Sequence, residues 1–209
     1  MIRNQEGDKV MADSPEKRAL VAPVEFRAEG SGRIVAGYAA VFDQEADVGG
    51  FFREKIAPGA FTETLKTADV RAYFDHDTGR VLGRSTAGTL RLKEDSKGLA
   101  VEVDLPATSD GNDVQELIRR GDVTGMSFRF RATREEWDET TKVPLRTILA
   151  VELHEVSIVS EPAYDGTSVA LRSLEAARQE RRQHNFTAAA RRVGMKVTLD
   201  LQVRARSKA

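Results

Sequence analysis

The most constraining feature of the chain is an alternation: Leu99, Val101, Val103 and Leu105 fall at every second position. A period of two places all four on one face of a strand and the intervening residues on the other. Segments of this kind bury their apolar face by stacking as sheets. Comparable runs recur at short intervals. Arg33 to Phe42, Phe51 to Ile56, Val70 to Phe74 and Leu90 to Glu94 all read as strands, as do a stretch from Ser127 through Ala132 and another from Pro144 to about Val159. Val21 to Arg27 reads as an edge strand that tolerates Pro23, and Gly30-Ser31-Gly32 turns it into the 33–42 strand as a hairpin. Lys93 to Gly98 supplies the turn before the alternating run. Only two helices are expected before residue 170. One is short, from Ala57 to Leu65, with Phe61 and Leu65 on one face. The other begins at the capping stretch Ser109 to Asp113, carries Val114, Leu117 and Ile118, and ends at Arg119-Arg120-Gly121, with basic residues and a glycine where a helix stops. The predicted fold is therefore mainly β with peripheral helices (α+β), a closed or nearly closed β-barrel.

The ends differ from this body. Residues 1–19 are polar, broken by Asp13-Ser14-Pro15, and read as a disordered leader. Residues 20–170 form the expected domain. Residues 171–209 contain ten Lys and Arg against three acids, a net charge of +7, which leaves −8 on the preceding residues given the overall −1. This basic tail is expected to be flexible, helical at most from Leu171 to Arg182, with a short strand at Val197 to Val203. It can touch nucleic acid nonspecifically, but its arginines lack the interleaved aromatics of a sequence reader. With no cysteine in the chain, disulfides, thiolate metal sites and a cysteine nucleophile are excluded. No apolar stretch is long enough to span a bilayer, and Met1 to Glu6 lacks the apolar core of a secretory signal, so the expected setting is inside a cell with no membrane partner.

A serine nucleophile needs a base, and the chain offers three histidines. His76 follows the Val70 to Phe74 strand and precedes the turn residues Asp77, Thr78 and Gly79, while Ser127 stands in Gly125-Met126-Ser127-Phe128-Arg129-Phe130. The run from Val151 to Tyr164 offers Glu152, His154 or Glu155 to orient the imidazole. Strand alternation puts Glu152 and His154 on one face and Glu155 on the other, so only one face can meet His76. Each residue has an ordinary structural reading too: a strand hydroxyl, a solvated turn, a carboxylate facing water. Asp75-His76-Asp77 does not make a metal site, because three consecutive residues cannot all face one ion and no second ligand cluster accompanies them. The glycine pairs lack the lysine and helix start of a phosphate loop. No cofactor is expected.

Five ordered segments carry a resemblance. Gly37-Tyr38-Ala39-Ala40-Val41-Phe42-Asp43, Ile56-Ala57-Pro58-Gly59-Ala60-Phe61, His76 with Val81-Leu82-Gly83-Arg84, the Ser127 motif, and Glu155 to Val159 followed by Glu161-Pro162-Ala163-Tyr164 together resemble the prohead maturation proteases of tailed bacteriophages, over about residues 20 to 170. The resemblance implies a serine endopeptidase with a fold like that of the herpesvirus capsid protease assemblin. It implies action inside the assembling prohead, in the host-cell cytoplasm, on scaffold protein or the scaffold-like domain of the major capsid protein, and often self-cleavage. The basic tail matches no motif of the family, and its low apolar content and charge make it the expected place for a cut that releases the enzyme. It also implies Ser127 as nucleophile, His76 as general base, and Glu155 as third member with His154 as the alternative. Arg129 is a side-chain candidate for the oxyanion site beside backbone N–H groups. Herpesvirus relatives act as dimers, which leaves self-association open here. The competing reading is a noncatalytic β-barrel protein associated with capsid or scaffold.

Overall fold

A computed structural model of the chain describes residues 15–20, 25–27 and 33–161, together with 174, 175, 177–179, 181–188, 190–192 and 195. Among the described residues up to 161, eleven strands and two helices are defined: β1 (Glu16–Leu20), β2 (Glu25–Arg27), β3 (Ile34–Val41), β4 (Ala46–Val48), β5 (Phe52–Ile56), α1 (Thr64–Thr67), β6 (Arg71–Phe74), β7 (Asp77–Arg84), β8 (Leu90–Glu94), β9 (Gly98–Asp104), α2 (Ser109–Arg120), β10 (Gly125–Asp138) and β11 (Leu145–Val159). The mainly β class with peripheral helices is what the structure shows. The strands form two ladders: a seven-stranded sheet with the path β1-β10-β11-β5-β4, in which β6 pairs with β11 and β7, and a four-stranded sheet ordered β2-β3-β9-β8. Both sheets bury apolar residues in one core, with Val35, Val101 and Val103 from the smaller and Phe128, Phe130, Ile148 and Val156 from the larger.

β11 is the spine of the larger sheet. It pairs antiparallel with β10 over its whole length. Its other edge takes two parallel partners in succession, β5 beside Leu145 to Ile148 and β6 beside Glu155 to Ile158. Along β10, Met126, Phe128 and Phe130 enter the core, where Phe128 stacks on Phe130 at 4.9 Å and meets the edge of Phe61 at 5.7 Å. Ser127 and Arg129 fall on the opposite face.

Helix α2 follows its sequence signals. The Thr108 hydroxyl caps it by accepting from the Gly111 N–H at 3.3 Å, and Gly121 closes it at φ 80, a left-handed position that costs other residues a clash at Cβ. The first helix is shorter than the pattern suggests. Residues 58–63 are turns and only Thr64–Thr67 are helical, because Pro58 and Gly59, the latter at φ 90, interrupt the ladder of helical bonds.

Three expectations are corrected. Residues 16–19, read as part of a leader, belong to β1, which pairs with β10 so that Glu16 faces Phe130 and Ala19 faces Ser127. Its charges are buried in an ion cluster. Arg18 Nε donates to Glu54 Oε1 at 2.5 Å and Arg18 Nη2 to Glu16 Oε2 at 2.7 Å. Arg146 Nη1 reaches Glu16 Oε2 at 2.7 Å and Glu54 Oε2 at 2.8 Å, and Arg146 Nε reaches Glu135 Oε2 at 2.7 Å. Burial alone would raise the Glu54 carboxyl, but the Arg18 and Arg146 guanidiniums beside it hold it below its usual range. Second, Asp77 to Arg84 is strand β7 and not a turn; the turn is Asp75-His76. Third, helical turns in the C-terminal segment extend past Arg182 through 181–188 and 190–192, where a mobile stretch was expected. Residues 1–14 of the expected leader and the expected strand at 197–203 lie outside the described residues. The chain divides into two compact units, 1–169 and 170–209. No described helix is long and apolar enough to cross a membrane.

Candidate active site

Three adjacent strands bring the site together. Ser127 on β10 is the register partner of Ser157 on β11, which is in turn the partner of Tyr73 on β6. The chain leaves β6 at Phe74 and re-enters at Asp77, its partner on β7, so Asp75 and His76 are the two central residues of a tight hairpin turn. Both have positive φ, 48 and 59, the pattern of a type I′ turn. Aspartate and histidine tolerate the left-handed region better than most residues. The turn is pinned from below: the Asp75 N–H donates to Ile158 O at 2.9 Å, and the Asp75 carboxylate accepts from the Ser160 N–H at 2.7 Å. His76 is thus aimed back over β10 and β11.

His76 Nε2 lies 2.8 Å from Ser127 Oγ, and His76 Nδ1 is hydrogen-bonded to Glu155 Oε1. The carboxylate requires a proton on Nδ1, which leaves Nε2 free to accept the serine proton. Arg129, on the same face as Ser127, places its Nε 3.7 Å from Glu155 Oε1 and so stands over the carboxylate. Glu155 is 3% exposed and Ser127 1%. The Ser127 hydroxyl has a second acceptor, Arg18 O on β1, at 2.9 Å. Ser157 Oγ, on the same face, is buried without a hydrogen-bond partner.

His154 does not join this group. The β10–β11 register slips between Arg129 and Phe130, which face Glu155 and Leu153 respectively, so His154 is the extra residue of a bulge. It lines a separate groove with Glu63, Thr64, Arg71 and Glu152, and its Nε2 is buried without a partner. Glu152 forms an ion pair with Arg131 instead. Among the described residues no group of three or more His, Asp and Glu stands close enough to hold a metal ion.

Two participants escaped the sequence reading. Asp75, read only as a neighbour of His76, anchors the turn, and β1 touches Ser127 through its backbone. For Asp75 the signal was the short gap between two runs that pair. For β1 it was the spacing of Glu16 and Arg18, alternate positions that share one face.

A hydroxyl relayed through one imidazole to one carboxylate is the constellation that serine hydrolases share across unrelated folds. A family model described as caudovirus prohead serine protease matches residues 22–181, most of the chain, and the chain belongs to that family of serine proteases. Among solved structures, the bacteriophage T4 capsid assembly protease gp21 is similar, with a TM-score of 0.46 and 12% identity over 71% of this chain and 99% of that one. No curated protein sequence matches the chain.

Proposed function

We propose that this prohead protease cuts its substrates through an acyl-enzyme formed on Ser127. His76 is the general base and then acid, and Glu155 is the carboxylate that orients it. The observation that carries this reading is the continuous relay from Ser127 Oγ through both ring nitrogens of His76 to Glu155. In the first step Ser127 Oγ adds to the carbonyl carbon of the scissile peptide while its proton passes to Nε2. The amine then leaves with that proton, and water, deprotonated by the same nitrogen, releases the acyl group. Glu155 stabilises the imidazolium that forms in each half-reaction. Arg129 tempers the Glu155 charge from 3.7 Å, which suits a supporting role better than that of an oxyanion donor.

The substrates are scaffold protein or the scaffold-like domain of the major capsid protein, cut inside the assembling prohead, with self-cleavage of the basic tail ending the enzyme's residence there. The family membership supports this setting. The test is co-expression with the neighbouring capsid and scaffold genes and mass spectrometry of the particles, comparing wild type with Ser127→Ala. Shells that assemble uncleaved only in Ser127→Ala are expected. Identical cleavage in both would remove Ser127 as nucleophile, and particles uncleaved in both would favour the noncatalytic reading.

A further inference from the structure

Ser127 is 1% exposed, although a protease nucleophile must meet a peptide carbonyl. The cause lies in the sheet. β11 flanks Ser127 on one side; on the other lies β1, antiparallel, with Ala19 directly opposite and the Arg18 carbonyl oxygen 2.9 Å from Oγ. β1 is the terminal strand of the sheet path, and among the described strands it alone pairs with that edge of β10. A peptide added to an exposed sheet edge pairs in this same way.

Resting on the assignment of Ser127 as nucleophile, we propose that β1 is an internal stand-in for substrate: it occupies the peptide-binding edge of β10 and closes the site, and substrates displace it as extended strands bearing an acidic residue, any residue, then a basic residue before the scissile bond. With β1 seated, the single Ser127 proton is divided between His76 Nε2 and Arg18 O, and no peptide can reach Oγ. When β1 leaves, Glu54 loses Arg18 and Arg146 loses Glu16, while Arg146 keeps Glu135 and Glu54. The vacated edge therefore presents a buried carboxylate and a buried guanidinium in fixed order. Each then lacks one of its buried partners, which is costly. A strand that restores a cation at Glu54 and an anion at Arg146 two residues earlier satisfies both, as Arg18 and Glu16 do. The adjoining cavity, about 210 Å³, is bounded by Arg18 and Ala19 and carries Glu45, Asp47 and Glu54 against Lys55 on its other walls, an acidic excess that favours a basic side chain.

The full chain is tested with a fluorophosphonate probe, which loses fluoride as the Ser127 oxygen bonds to phosphorus, and labelling is followed by intact mass. Because the chain has no cysteine, Lys17→Cys with Arg129→Cys, cross-strand partners in β1 and β10, gives a single lock. The oxidised lock should label at least about tenfold more slowly than the same protein reduced, in proportion to the lost open population. Folded Arg18→Ala should label about tenfold faster than wild type. Equal rates in the locked and reduced forms, or no gain in folded Arg18→Ala, would overturn the proposal, and the lock decides alone if Arg18→Ala does not fold. A synthetic Glu-Lys-Arg-Ala-Leu peptide should slow labelling of the reduced protein, and a Lys-Lys-Glu-Ala-Leu peptide should not; equal effects would overturn the acid-any-base preference. If wild type labels at a site other than Ser127, or Ser127→Ala labels equally, it is the nucleophile assignment that fails and not the stand-in.

Discussion

Two buried polar constellations share strands β10 and β11 and do opposite things. The cluster of Glu16, Arg18, Glu54, Glu135 and Arg146 is built from groups that keep their charge, each tied by several hydrogen bonds, and it fastens β1 and β5 to β10 and β11. The relay of Ser127, His76 and Glu155 is built from groups that can exchange a proton, and its serine has two acceptors within reach. Burial does not make a polar site catalytic. What separates the two is whether a proton has somewhere else to go.

The comparison breaks most sharply at Glu155. Glu155→Gln should lower turnover by about 10³–10⁴-fold, because the amide no longer selects the productive tautomer, with the melting curve little changed. His154→Ala should leave turnover at wild-type level, and steady-state peptide cleavage separates the two. In the ion cluster the expectation reverses. Arg146→Ala should cost about 3–5 kcal/mol of stability by removing one of the two buried guanidiniums that Glu16 and Glu54 share, measured by urea denaturation. A pH series sharpens the distinction. The Glu54 carboxyl is held below its reference value of 4.5, so it adds stability above that pH and loses it as acid carries the solution down through the folded value. The melting temperature should therefore fall on acidification below pH 4.5, and less steeply in Glu54→Gln. Far from both sites, Thr108→Ala should cost about 1 kcal/mol through the lost helix cap and leave the probe reaction untouched.

Much of this molecule was legible as pattern. Alternation located β9, β8 was read at its observed bounds, and the runs at β3, β5, β6, β10 and β11 were read with shifted ends, since one strand partner cannot be seen from the other. β7 was hidden because Asp77, Thr78 and Gly79 look like a turn; pairing with β6 overrode their propensity. β1 was hidden because its alternating face is charged. Burial of Glu16 and Arg18 depends on Glu54 and Arg146, which are distant in sequence, although both of the latter stand in the apolar phase of their strands, Glu54 between Phe52 and Ile56 and Arg146 two before Ile148. At the site, His76, Ser127 and Glu155 were legible as residues. That Glu155 rather than His154 meets the imidazole depends on strand phase, and the bulge that sets His154 aside is a property of the ladder.

β11 carries Arg146 near one end and Glu155 near the other, on one strand. A slip of β11 by one position against its neighbours would turn Arg146 out of the ion cluster and Glu155 away from His76 together. Copies that settle in the wrong register are therefore inert as well as unstable. Correct folding is thereby a licence to cut.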